Sequence, residues 1–190
     1  MRLRWRLASL VFPAGCGLLG DPGELVGELT VRATLEENSC GGAVGAIPDV
    51  SEIDVRLYER SGLLTWVGSD GTFQASIDAE GNFVFRAEAR RLLRGEEPDG
   101  LGGVRAACVV ESSEEIRGKL VRRVLPAAAD GGAGDGGAAV EAVPASVAAT
   151  DTLRVGAAAG ADCRDFIGFG GASFETLPCR LVVRLEGAEE

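Results

Sequence analysis

Glu28-Leu29-Thr30-Val31-Arg32-Ala33-Thr34-Leu35-Glu36 alternates apolar and polar residues without a fault. Successive side chains of a β-strand point to opposite faces, so this stretch puts Leu29, Val31, Ala33 and Leu35 on one face and leaves the other to water. The period recurs further along. Ile53, Val55 and Leu57 alternate with Asp54, Arg56 and Tyr58; Phe73, Ala75 and Ile77 with Thr72, Gln74, Ser76 and Asp78; Phe83, Phe85 and Ala87 with Val84, Arg86 and Glu88. Ala79-Glu80-Gly81-Asn82 separates the last two runs with a hairpin-turn composition, and Ser69-Asp70-Gly71 precedes them in the same way. Strands joined so tightly run antiparallel.

Ala87 to Arg94 reads as the end of a strand, although its composition also suits a short helix. Residues 95–103 are a loop. Residues 104–110 and 115–121 are expected to be the next two strands, with Ser112-Ser113-Glu114 turning between them. Residues 126–150 are almost entirely Ala, Gly, Asp and Val with no aromatic residue, so they cannot offset their own ordering entropy and read as an exposed, mobile insertion. Alternation returns at Thr152 to Val155, more weakly at Phe166 to Phe174, and at Arg180 to Glu186. These patterns predict an all-β chain, a single antiparallel β-sandwich or β-barrel of about 8–10 short strands with hairpin connections. One wet face per strand excludes a parallel α/β sheet, and the pattern does not fit an outer-membrane barrel.

The N-terminus carries a different message. Arg2, Arg4 and Arg6 precede the apolar run Leu7-Ala8-Ser9-Leu10-Val11-Phe12, which leads into Pro13-Ala14-Gly15-Cys16. That order is the pattern of a secretory signal. It resembles a bacterial lipoprotein precursor, and Ala14, Gly15 and Cys16 match the cleavage box of that class. The resemblance implies that Cys16 is lipid-modified, becomes the new N-terminus and anchors the chain to a membrane. It further implies a cell-envelope location, and Gly17 after the Cys favours the outer membrane. An ordinary cleaved signal that releases a secreted or periplasmic soluble protein is the alternative. The expected organisation is a signal segment at 1–15, a lipid anchor and tether at 16–24, and a β domain at 25–188 interrupted by the insertion at 126–150.

The chain has 190 residues, enough for one domain with a real core, and a formal net charge of −10. So acidic a surface repels phosphate backbones, which excludes nucleic acid as a partner. If Cys16 carries lipid, Cys40, Cys108, Cys163 and Cys179 form an even set, which in an oxidising compartment means disulfides. Three pairings are open to them. Cys163 with Cys179 and Cys40 with Cys108 is favoured because the first pair would close one hairpin-like segment, a constraint of about 3 kcal/mol. No Cys-x-x-Cys pair supports a metal site.

The chain contains no His, which removes Ser-His-Asp triads, Cys-His dyads and the two-His zinc motif together. A Ser-Lys arrangement would have to use Lys119, at an exposed strand position. Carboxylates are the remaining acid/base route, and Glu111, Glu114 and Glu115 form the densest group. A glycosidase needs two carboxyls across a cleft; these read instead as a solvated turn guarding an edge strand. Asp130 to Gly137 lacks the spacing of calcium-binding glycine repeats, as Asp78-Ala79-Glu80-Gly81 lacks that of an EF-hand. Gly168-Phe169-Gly170-Gly171 suits a bend in a hairpin. Trp66 and Tyr58 could line a binding surface, with core packing the commoner role for Trp66. No cofactor is implied. The reading is a non-enzymatic envelope lipoprotein whose β module serves a structural or interaction role. The alternatives are a small barrel in which Phe73, Ile77, Phe83 and Phe85 line a pocket for an apolar ligand, and a carboxylate-dependent hydrolase.

Overall fold

The computed structural model describes residues 22–44, 48–69, 71–122, 145–168 and 173–189. Cys16 and the signal segment, most of the insertion, and the glycines at 170 and 171 lie outside them. The strands are β1 (Glu24–Asn38), β2 (Val50–Arg60), β3 (Leu63–Gly68), β4 (Gly71–Ser76), β5 (Asn82–Arg94), β6 (Glu97–Pro98), β7 (Val104–Arg105), β8 (Cys108–Val121), β9 (Ser146–Ala157) and β10 (Cys179–Ala188). Eight of them form one sheet in the order β4-β3-β2-β1-β10-β9-β8-β5, with every neighbouring pair antiparallel. β6 and β7 make a separate two-residue ribbon on the β5–β8 connection.

The two ends of that order, β4 and β5, are consecutive in the chain. The turn at Asp78 joins them, and an antiparallel bridge pairs Ile77 with Phe83. The sheet therefore curls until its ends meet, giving a nearly closed up-and-down barrel rather than a sandwich. In the turn, Asp78 Oδ1 accepts the Asn82 amide at 2.7 Å, and the Gly81 carbonyl accepts the Leu120 amide at 2.9 Å. Gly81 adopts a φ of 87°, and a Cβ there would meet the Leu120 carbonyl. Only glycine satisfies both conditions.

The inward rows fill the barrel. Leu29, Val31 and Ala33 of β1 join Val55 and Leu57, Leu64 and Trp66, Phe83 and Phe85, Leu120, Val147 and Ala149, and Leu181, Val183 and Leu185 in one buried cluster. Phe85 sits at the centre of the aromatic contacts, with ring centroids 6.3 Å from Trp66, 6.4 Å from Phe73 and 5.2 Å from Phe83. The outer face is wet and ion-paired: Glu28–Arg56 at 3.0 Å, Arg86–Glu115 at 3.0 Å, Arg90–Glu111 at 3.6 Å and Arg184–Glu36 at 3.5 Å. Exposed pairs of this kind contribute at most about 1 kcal/mol each. Among the described residues no helix is long and apolar enough to cross a membrane.

Several expectations need correction. Ser112-Ser113-Glu114 does not turn. It lies mid-strand in a continuous β8, paired on one side with Ala89, Glu88 and Ala87 and on the other with Val155, Arg154 and Leu153. Two ladders satisfy the backbone there, and they outweigh the local turn preference of Ser-Ser. β9 begins at Ser146, so five residues assigned to the insertion belong to the barrel wall, with Val147 and Ala149 buried. Small residues are required at that point. A Cβ on Gly118 would collide with the Ala149 side chain, the Ala148 carbonyl and the ring of Phe83. Gly118→Val is accordingly expected to destabilise by about 1–3 kcal/mol or more through overpacking; an unchanged urea midpoint would contradict this packing. β3 shows no clean alternation because both faces are covered, Thr65 being buried and accepting a hydrogen bond from Gln74 at 3.2 Å.

The cysteines do form two disulfides, but in another pairing: Cys40–Cys179 and Cys108–Cys163. Topology decides it. β1 and β10, the first and last strands of the chain, are neighbours in the sheet, so Cys40, just past the end of β1, meets Cys179, the first residue of β10. Cys108 opens β8, and Cys163 follows the end of β9, its neighbour. All four sit at one end of the barrel, in a second cluster with Val110, Val155 and Phe174. At that end Arg105 bonds Asp162 at 3.1 Å and contacts Asp165, while Arg94 donates to the Ala106 and Asp162 carbonyls at 3.1 and 2.8 Å. The guanidinium groups of Arg164 and Arg105 hold Asp162 well below the usual carboxylate range. This network ties the β5–β8 connection to the loop after β9 and leaves its charges matched.

Candidate functional site

The inner row of β9 reads Val147, Ala149, Asp151, Leu153 and Val155. A carboxylate thus stands in a file of aliphatic residues. In register Asp151 lies opposite Ile116 of β8 and Val183 of β10, and it is only 8 % exposed. The inner row of β8 brings Glu114, half-buried, to its side. The two carboxyls lie within interacting distance of each other, and when either is protonated it can donate to the other.

Burial pushes the Asp151 carboxyl up to about 7, and the charge of Glu114 and the hydrogen bond to it add to the rise. Burial likewise pushes Glu114 up, against the opposing effect of its bond to Asp151. Like charges this close in a poorly solvated site cannot both ionise cheaply. Asp151 Oδ1 is buried and has no hydrogen-bond partner.

Beside the pair lies a cavity of about 50 Å³, walled by Ile53, Trp66, Phe73, Ile116 and Leu185 together with Glu114 and Asp151. Its edge is formed by Gly68, Ser69 and Gly71, where the short β3–β4 hairpin ends. β4 has six residues and β5 thirteen. Beyond the Ile77–Phe83 bridge the two strands form no ladder. The resulting seam is lined by Phe73, Phe85, Ala87 and Glu114. The larger depressions, of about 820 and 600 Å³, lie on the outer wall along β1–β3 and along β5, β8 and β9.

Of the acidic trio singled out from the sequence, only Glu114 belongs to this site. Glu111 and Glu115 point outward to Arg90 and Arg86, and the solvated-turn reading of Glu114 is overturned by its inward position in β8. Lys119 is exposed on the outer face, opposite Asn82 of β5 and Ala148 of β9. Trp66 is a core residue, 5 % exposed, whose side chain also walls the cavity; Tyr58 is half-buried. Phe73, Ile77, Phe83 and Phe85 face inward and fill space rather than line a large pocket. The stretch from Asp130 to Gly137 lies outside the described residues. Among the described residues no group of three or more acidic or sulfur ligands is placed to hold a metal ion.

Asp151 was not singled out from the sequence. The signal that would have found it is an Asp in register with Val147, Ala149, Leu153 and Val155, a polar residue on the buried phase of an alternating strand. Comparison with known proteins supplies no counterpart: no family model, no curated protein and no solved structure matches the chain.

Proposed function

We propose that this chain is a non-enzymatic envelope module, a disulfide-supported β-barrel carried on lipid at Cys16 and serving a structural or interaction role. The observation behind this reading is the filled interior. A barrel that carries a drug-sized ligand needs a cavity of roughly 300 Å³ or more, whereas the cavity that the described residues enclose beside Asp151 is about 50 Å³. The two disulfides suit an oxidising compartment. The wall is charged outside and apolar inside, the inverse of a lipid-embedded barrel. The N-terminal resemblance supplies the anchor.

The second reading, a barrel holding an apolar ligand, draws on the up-and-down architecture but meets an interior already occupied by Phe83, Phe85, Trp66 and Leu57. The hydrolase reading needs separated carboxyls flanking a substrate; Glu114 and Asp151 lie side by side on adjacent strands, beside a space of about 50 Å³, too small for a sugar ring. Mass spectrometry of the mature protein expressed in a bacterial host tests the anchor. A diacylglyceryl-modified Cys16 at the N-terminus and a membrane-fractionating product are expected, and Cys16→Ala should shift the protein to the soluble fraction. An unmodified wild-type N-terminus would overturn the anchored form.

A further inference from the structure

We propose that the barrel interior is a binding site for the head of a small primary alkylammonium, held between Glu114 and Asp151 and entered past Gly68 at the end of the β3–β4 hairpin. Four observations converge on it. Asp151, more than nine-tenths buried at 8 % exposure, stands in the cavity wall with Oδ1 unpartnered. Among the described residues no basic side chain lines the cavity, so the charge of the pair is balanced by a proton or by an incoming cation. An ammonium group has three donors and no acceptor, which matches two facing carboxyls that offer only acceptors once ionised. Trp66 and Phe73 complete the wall, and aromatic faces attract organic cations.

Size narrows the class further. About 50 Å³ exceeds the roughly 10–15 Å³ that one water needs on the same measure and admits an ammonium with a short stretch of its chain, whereas a ring-sized ligand is excluded. Divalent calcium wants about 6–8 oxygen ligands, and this wall is mainly hydrocarbon. At the entrance, Gly68 continues the inward row of Leu64 and Trp66. A Cβ there would stand 3.5 Å from Trp66 Nε1, an ordinary contact, so a larger side chain can plug the opening without disturbing the fold.

The test is isothermal titration calorimetry of the full-length oxidised protein with butylammonium chloride at pH 8, with butanol as the neutral isostere and calcium chloride as the competing cation. Saturable one-to-one binding of butylammonium is expected, at least ten-fold weaker for butanol. Asp151→Asn and Glu114→Gln should each weaken it ten-fold or more. Gly68→Val, which leaves both carboxyls in place, should abolish it. Circular dichroism and urea midpoints establish that the variants fold. Absence of saturable heat in the wild type, undiminished binding by Asp151→Asn or Gly68→Val, or calcium binding that excludes the amine would each overturn the proposal.

Discussion

Asp151→Asn is expected to make the protein more stable at pH 8 while leaving it nearly unchanged at pH 4. The folded state holds the Asp151 carboxyl at about 7 against an ordinary value of 3.8, so it binds that proton more tightly than the unfolded chain does. Stability linked to this group is fully present below the unfolded value and is lost as pH rises through the folded one. Every tenfold difference in proton affinity between the two states is worth about 1.4 kcal/mol, so between pH 4 and pH 7.5 the wild type should lose on the order of 2–4 kcal/mol. The groups that set the field are few: among the described residues Glu114 from β8 faces Asp151, and β2, β3, β4 and β10 present only Ile53, Trp66, Phe73 and Leu185. Arg86 of β5 borders the seam, but its guanidinium is bound to Glu115 at 3.0 Å. Asp162, Asp165 and Glu115 are shifted the other way by their Arg partners; their contributions are complete above about pH 5 and begin to fall only at the acid end of the window, where they are common to wild type and variant. Asparagine keeps the shape of the side chain, can donate to Glu114 and has no charge to desolvate. Urea midpoints at pH 4, 6 and 8 decide the matter. A wild-type midpoint that does not fall with pH, or a variant less stable than wild type at pH 8, would show that the pair is not desolvated as described.

The acid pair also marks where sequence reading stops. The alternation in β1, β2, β4, β5 and β10 was legible because each of these strands has one greasy and one wet face, and that face is a property of the strand alone. Barrel closure was not, because it depends on the meeting of β4 with β5 and of β1 with β10, which no local pattern encodes. Glu114 was misjudged for a related reason. Ser112-Ser113-Glu114-Glu115 has the composition of a turn, and only the presence of β5 on one side and β9 on the other keeps it extended. Asp151 escaped notice because β9 opens inside an Ala-rich stretch. There the inward residues are small to make room for Phe83 and Gly118, so the alternation is visible only when the strand is traced back to Val147. The wall itself was readable, and the polar interruption inside it was not.

The disulfide pairing followed the same logic, and its energetic consequence is large. Replacing Cys40 and Cys179 together by serine is expected to cost about 3–5 kcal/mol, more than the short Cys163–Cys179 bridge favoured from the sequence would contribute. The bridge joins residues 139 positions apart; in the chain-entropy treatment a closed loop of that length restricts the unfolded state by about 5 kcal/mol, against about 3 for a loop near 15 residues. Cys108–Cys163, with a separation of 55, falls between them at about 4 kcal/mol. The folded state should survive the substitution, because the same junction is held by Ser39. Its amide donates to the Arg180 carbonyl at 2.9 Å, and its hydroxyl oxygen accepts the Arg180 amide at 2.8 Å. The loss therefore resides chiefly in a freer unfolded chain. That origin has its own signature: the urea midpoint should fall while the dependence on urea steepens, since a chain without the bridge exposes more surface on unfolding. Replacing both cysteines leaves no unpaired thiol in the barrel to exchange with Cys108 or Cys163. A shift below about 1 kcal/mol would mean that β1 and β10 stay associated in the unfolded ensemble, and the β1–β10 junction would then owe its persistence to residual structure and not to the bridge.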